Sequence, residues 1–387
     1  MGSILNFVFP FDKDNMPDWF IIGPLYSAIS VNCNHTHNFE LVEGCENILV
    51  CETVEKFKGF IRNFTNKIGD KTLEDFIYKN PNIKIILSSI ADPCGFWERK
   101  EITQFISEKK LDDRTYFVES NFQNKNLKNT FCWHFFIEDA SINIHRIFEN
   151  EPNELGYISK KIELEETNNF RRKKFLCFNR TIDKRHRLSL LYDYLNSDFS
   201  DSYFSFLSYE SNYENIFHDV EKEFDYNLYF KKFIPIELDT QNLKEKNTFV
   251  TGNAIGKKEF YLNSCINLVT ETSFESNELF LSEKILKPIF NFQPFIVFGP
   301  VNYLKEMKRL GFKTFSDFWD ESYDEIEDVK LRYFKIMEVV FNLNSKPIEE
   351  INEIYQKSKN ICIHNHNHFM NFKYSFGDFI EFISEKK

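Results

Sequence analysis

CINLVTETSFESNELFLSEKILKPIFNFQPFIVFGPVNYLKEMKRLGFKTF, residues Cys265 to Phe315, sets the reading of the whole chain. Ile266 to Val269 is an apolar run of strand length, closed by Thr270-Glu271-Thr272. A second run, Pro294 to Phe298, is stopped by the turn signal Gly299-Pro300. Between the two, an acidic loop leads into a short helix. Beyond Pro300 the pattern predicts a further helix and a last short strand ending at Phe315. Strands alternating with short helices predict parallel pairing through right-handed crossovers. Ligands of such sheets collect at the carboxyl ends of the strands. The polar residues predicted there are Thr270, Glu271, Ser282, Glu283 and Lys284.

Ser282 is a good N-cap, and the turn after it presents backbone N–H groups and a positive dipole end. That end suits a phosphate, Lys284 adds a point charge, and Glu283 can accept two hydrogen bonds from a ribose diol. The same three residues also describe an ordinary capped helix with an acid in its first turn and an exposed lysine. Pro288, six residues past the cap, removes a backbone bond and predicts a short or kinked helix.

A second segment carries complementary chemistry. Phe175 to Phe178 is a predicted strand, followed by NRTIDKRHR (179–187) and a helix with apolar Leu188, Leu190, Leu191, Tyr194 and Leu195. Arg180 stands at the strand end and Arg187 in the first helical turn. Cations are disfavoured at a helix N-terminus, so Lys184, Arg185 and Arg187 make sense there if an anion joins them. The alternative is that neighbouring acids hold them as exposed charges. No G-x-x-x-x-G-K occurs, so this is no P-loop.

With an acidic loop, FLSEK, a short helix, PFIVFG and a helix ending in LGF, residues 170–345 resemble the donor half of GT-B glycosyltransferases. The likeness is nearest to the α1,3-fucosyltransferases and extends to uncharacterised sugar transferases of bacterial and phage glycan clusters. After Glu283-Lys284 the chain continues ILKP where the fucosyltransferases read Asn-Ala-Leu, so the resemblance does not reach the sugar. It implies an α/β fold of two Rossmann-like domains facing a cleft, with C-terminal helices crossing back. The implied division is an acceptor domain at 1–165, a nucleotide-sugar donor domain at 166–345, and helices at 346–387 packing across both.

Composition sets outer limits. A chain of 387 residues with 42% hydrophobic content and 45 phenylalanines has enough apolar material for two aromatic cores. A net charge of −11 argues against a nucleic-acid binder. No apolar run is long enough to span a membrane, although peripheral association remains compatible with the sequence. MGSILNFVFPFD lacks the marks of a signal peptide. Eight cysteines without C-x-x-C spacing read as reduced thiols, making the cytoplasm the default compartment.

Along the remaining chain, Ile4–Phe9, Ile48–Cys51, Ile83–Ile90, Thr115–Glu119, Phe131–Ile137, Tyr203–Leu207 and Phe233–Leu238 are predicted strands. Helices are predicted over 55–68, 73–78, 99–108, 258–263, 328–342 and 348–359. The loop after Ile90 places Asp92 and Glu98 at a carboxyl end. Arg171-Arg172-Lys173-Lys174 reads as a solvated linker face at the domain boundary. Neither NHTH (34–37) nor HNHNH (364–368) shows a convincing ligand set, so no metal site is assigned.

The combined expectation is a glycosyltransferase moving a sugar from a nucleotide-sugar donor to a glycan or glycoconjugate acceptor, in polysaccharide or glycoconjugate synthesis. It needs neither metal nor cofactor beyond the donor itself. Arg180, Arg187 and Lys284 would neutralise the leaving phosphate. By the family's pattern Glu283 would hold the ribose, and Glu271 would touch the sugar or cap a loop. Asp92 or Glu98 would take the acceptor proton in an inverting reaction. The alternatives are a non-catalytic glycan- or nucleotide-binding assembly protein of this fold, or a phosphoglycan polymerase or sugar epimerase.

Overall fold

The chain builds two separate parallel sheets, as seen in a computed structural model. The structure describes residues 4–11, 25, 29–30, 33–52, 58–68, 70–89, 96–133, 164–182, 184–208, 216–219, 226–234, 236, 258–276, 278–372 and 376–385. The chain divides into two compact units. The first comprises Met1–Asp139, Asn277–Phe280 and Lys373–Lys387, the second Ala140–Ser276 and Leu281–Phe372. The expected division falls between residues 165 and 166; the preceding interval 134–163 lies outside the described residues.

In the first unit, β1 (Leu5–Val8), β2 (Asn34–Thr36), β3 (Glu46–Glu52), β6 (Lys84–Ser89), β7 (Thr115–Glu119) and β8 (Thr130–Cys132) form a parallel sheet in the order β2-β1-β3-β6-β7-β8. A two-strand antiparallel pair, β4 (Lys67–Ile68) and β5 (Lys71–Thr72), lies apart from it. Of the helix predicted over 55–68, residues 55–57 lie outside the described residues; α1 spans Lys58–Asn63 and ends because the chain turns into β4. α2 (Leu73–Lys79) is capped by Thr72, whose side chain accepts from the Asp75 amide, and α3 spans Phe96–Glu108. Every residue of β7 is buried, as expected of a strand covered on both faces.

The second unit holds a four-stranded parallel sheet, β9 (Lys173–Thr181), β10 (Tyr203–Ser208), β11 (Ser264–Thr270) and β12 (Phe295–Phe298), in the order β10-β9-β11-β12. Its helices are α4 (Arg185–Asn196), α5 (Tyr226–Lys231), α6 (Lys258–Asn263), α7 (Glu283–Phe290), α8 (Tyr303–Arg309), α9 (Val329–Asn344) and α10 (Ile348–Met370). β11 is central and wholly buried, which explains its largely apolar run; the Asn267 side chain within it donates to Gln293 Oε1 at 3.2 Å. The last helix, α11 (Phe376–Glu385), belongs to the first unit, where Phe379 stacks on Trp133 at 5.7 Å between ring centroids.

Four expectations need correction. No strand ends at Phe315, because the Lys313 backbone is held by the Asn365 side chain, N–H to Oδ1 and Nδ2 to O, both at 2.8 Å. The strand predicted over 233–238 does not start at Phe233, which lies in a turn; Ile236 bridges Phe206, and residues 235, 237 and 238 lie outside the described residues. The helix predicted over 348–359 runs on to Met370 and takes in the HNHNH segment, where His364 and His368 stack one turn apart.

The fourth concerns Arg171 to Lys174, which is no solvated linker. Arg171 is fully buried and donates to the Tyr261 and Ser264 carbonyls at the end of α6 and to the Tyr355 hydroxyl. Lys174 donates to the Asn344 carbonyl that ends α9. Helix C-termini leave unpaired carbonyls and a negative dipole end, so buried cations there satisfy both. α10 extends the same device. His364 and His368 meet the Gly311 and Leu310 carbonyls after α8, and His366 meets the Phe290 carbonyl of α7.

Candidate functional site

The carboxyl edge of the second sheet gathers polar side chains around the end of β11. Asn179 of β9 accepts from Thr270 Oγ1 at 2.7 Å, and Arg187 in the first turn of α4 donates to the Thr270 carbonyl at 3.1 Å. Glu271 follows directly, and its buried carboxylate accepts from Ser282 Oγ at 2.5 Å and from the Tyr303 hydroxyl at 2.6 Å. Thus one carboxylate ties the end of β11 to the start of both α7 and α8. Burial raises the Glu271 proton affinity, and the Lys284 charge and the two hydroxyl donors oppose that rise.

α7 begins as the sequence predicts. Ser282 caps it by accepting from the Lys284 amide at 3.2 Å. Its buried residues, Ile285, Leu286, Pro288, Ile289 and Phe290, leave Glu283, Lys284 and Lys287 half-buried. Pro288 is accommodated because the helix ends two residues later. Lys284 Nζ pairs with Glu283 at 2.8 Å and reaches Ser282 Oγ at 3.3 Å. Burial alone would raise the Glu283 carboxyl, but Lys284 and Lys287 bring it below its usual value. Lys287, which the sequence reading passed over, is pulled down to about 8 by burial, with Glu283 opposing and Lys284 reinforcing the shift.

The predicted donor residues are therefore distributed as follows. Arg187, Glu271, Glu283 and Lys284 all stand at or beside the end of β11, although Arg187 comes from a segment 83 residues before Thr270. Arg187 and Glu271 are buried, not exposed as ligand groups would be in an open site. Arg180 lies at the end of β9, one residue before its last. The basic loop also packs: Arg185 donates to the Ile216 carbonyl at 3.2 Å and covers the Phe217 ring. His186 is buried against Phe274 and stays neutral, since burial and then Arg187 hold its proton affinity well below the usual range. Arg332 of α9 holds the acidic loop from behind, donating to the Phe274 carbonyl at 2.6 Å.

In the first unit, Asp92 lies outside the described residues, and Glu98 sits half-buried in the first turn of α3. A carboxylate the sequence reading missed ends β7. Glu119 is fully buried, accepts from Asn124 at 2.7 Å and faces Arg99 Nε at 3.3 Å. Burial pushes it up to about 7, against the pull of Arg99 and Asn124. Its signal was positional, a single acid closing a fully buried strand at the carboxyl edge.

Among the described residues, no three His, Cys, Asp or Glu side chains gather as a metal site would need, and no helix is long and apolar enough to cross a membrane. Seven cysteines are described, and no disulfide joins any two of them.

No protein-family profile matches the sequence, and no curated protein matches it. Among solved structures, the chain is similar to an alpha1,3-fucosyltransferase at 12% identity and a TM-score of 0.38, covering 99% of this chain and 90% of that one. It is also similar to an alpha1,3-fucosyltransferase with GDP at 10% identity and a TM-score of 0.35, over the same shares of the two chains. At this level of similarity neither activity nor residue roles carry over.

Proposed function

We propose that this protein is a glycosyltransferase that takes its sugar from a nucleotide-activated donor bound at the carboxyl edge of the second sheet. The observation that supports this most is the linked set Arg187, Thr270, Glu271, Ser282 and Lys284, which fixes a helix N-terminus and a cation beside one strand end. A nucleoside diphosphate leaving group gains negative charge in the transition state. Preorganised donors aimed at that charge lower the barrier most when they need no rearrangement. Lys284 and the start of α7 would face the phosphates. Glu283, released from Lys284 by the incoming anion, would accept the ribose hydroxyls. Arg187 and Glu271 are too buried to be ligands in this arrangement, and hold the edge in shape.

An inverting reaction needs a carboxylate to take the acceptor proton. For that role we propose Asp92 or Glu98 of the first unit; Glu119 is fully buried and faces Arg99, and like Glu271 it is too enclosed to meet an acceptor. The acceptor is proposed to be a glycan or glycoconjugate. Charge neutralisation by Lys284 and the helix end makes transfer independent of added metal in this reading.

A thermal-shift screen against UDP, GDP, CMP and their sugars tests the proposal, since a bound ligand stabilises in proportion to the logarithm of its concentration over Kd. One nucleotide should stand out, and its sugar should be transferred to a glycan acceptor in EDTA. Stabilisation by none of them would defeat the proposal. Activity lost in EDTA and restored by manganese or magnesium would defeat its metal-free form.

A further inference from the structure

Lys287 is the cation of α7 that its surroundings leave unused. It follows Lys284 by three residues and Glu283 by four, so all three share one helical face. Lys284 is engaged by Glu283 and Ser282. Among the described residues, no hydrogen bond or ion pair takes up the Lys287 ammonium, although the side chain is half-buried. An ammonium in such a position loses hydration without gaining a partner. The charged groups that act on it are Glu283 and Lys284 on its own helix and Glu271 after β11. From α8, Tyr303 spends its hydroxyl on Glu271, and from α10, His366 is committed to the Phe290 carbonyl.

We propose that Lys287 is a second cation of the donor subsite, acting together with Lys284 on the diphosphate group. This rests on the reading of the edge as a nucleotide-sugar site. Burial lowers the proton affinity of Lys287 in the free protein, and a phosphate placed beside it favours the charged form. The incoming anion thereby supplies the partner that the half-buried ammonium lacks.

Titration calorimetry of inorganic pyrophosphate, GDP and UDP reads this contribution directly. Lys287→Met should bind about tenfold more weakly than wild type. Lys287→Arg, which keeps the charge, should keep the affinity. Far-UV circular dichroism and melting of both variants establish that they fold. Unchanged affinity in Lys287→Met would overturn the role of Lys287 alone. Failure of wild type to bind pyrophosphate or either nucleotide would instead overturn the reading of the site beneath it.

Discussion

Arg187 Nη2 donates to the Thr270 carbonyl at 3.1 Å, so the basic helix start and the end of the central strand are one construction. This bond changes what substitution at Arg187 should do. A buried guanidinium that pairs with a backbone carbonyl leaves that carbonyl unsatisfied when it is removed. Arg187→Ala should therefore destabilise the second unit by about 1.5–3 kcal/mol, measured by urea unfolding. Lys284 is 26% exposed, and its pair with Glu283 is solvent-screened. Lys284→Ala should cost under about 1 kcal/mol of stability while weakening nucleotide binding roughly tenfold. Equal stability losses in the two variants would contradict the different burial of these cations.

Glu119 should make the first unit's stability fall with rising pH. Its folded-state proton affinity is raised, to about 7 from an ordinary 4.5, chiefly by burial. A carboxyl of this kind favours folding while protonated. Its contribution is complete below about pH 4.5 and is lost as pH rises through 7. Linkage sets the change on the order of 3 kcal/mol across that window. Hydrogen exchange of the β7 amides between pH 5 and 8, corrected for intrinsic rates, should show it. Glu119→Gln keeps an acceptor for Asn124 and cannot ionise, so its profile should be flat. A wild-type profile as flat as the variant's would contradict the raised proton affinity.

The residues that were legible from sequence are those whose partners are local. Ser282 was readable as a cap because it accepts from Lys284, two positions along. The strands β7 and β11 were readable because burial on both faces favours apolar residues at successive positions, as in Tyr116–Val118 and Leu268–Val269. Arg171 and Lys174 were not readable. Their partners are helix ends contributed by residues 90 to 184 positions away, and a run of four cations carries no trace of them. Glu271 was recognised as an acid at a strand end, but its two hydroxyl partners come from different helices. The alternating histidines carry a strand's periodicity. Only packing shows that they serve as donors and ring contacts along one helix.

The buried Arg171 should tolerate no loss of its donors. Its guanidinium lies 3.7 Å from the Tyr355 ring centroid and supplies bonds to the Tyr261, Ser264 and Tyr355 oxygens. Gln293 reaches the Tyr261 and Ser264 carbonyls as well, at 3.1 and 2.8 Å. Arg171→Met keeps volume but leaves the end of α6 short of donors, at a cost on the order of 3 kcal/mol. Gln293→Ala, with Arg171 still present, should cost less. Melting of the two variants checks the order, and Arg171→Met melting like wild type would show the end of α6 to be satisfied without it.

Gly311 and His368 offer the sharpest test of how α10 holds α8. Gly311 has φ +94°, a conformation that side chains other than glycine rarely adopt. A Cβ built there would lie 2.9 Å from both Cε1 and Nε2 of His368. That ring is fixed, because Nε2 bonds to the Leu310 carbonyl at 2.7 Å and the ring stacks on His364 and packs edge-on to Phe312. Gly311→Ala therefore suffers two penalties, backbone strain of about 1 kcal/mol and displacement of a hydrogen-bonded ring. His368→Ala alone loses the bond to Leu310 but leaves the backbone at ease. In Gly311→Ala/His368→Ala the clash is gone, and the strain and the lost bond to Leu310 remain. The double variant should be more stable than the sum of the two single losses implies, by roughly 1 kcal/mol in a double-mutant cycle of urea unfolding. Strict additivity would mean that His368 yields to the new methyl group without cost, and that its bond to Leu310 contributes little to the seating of α8.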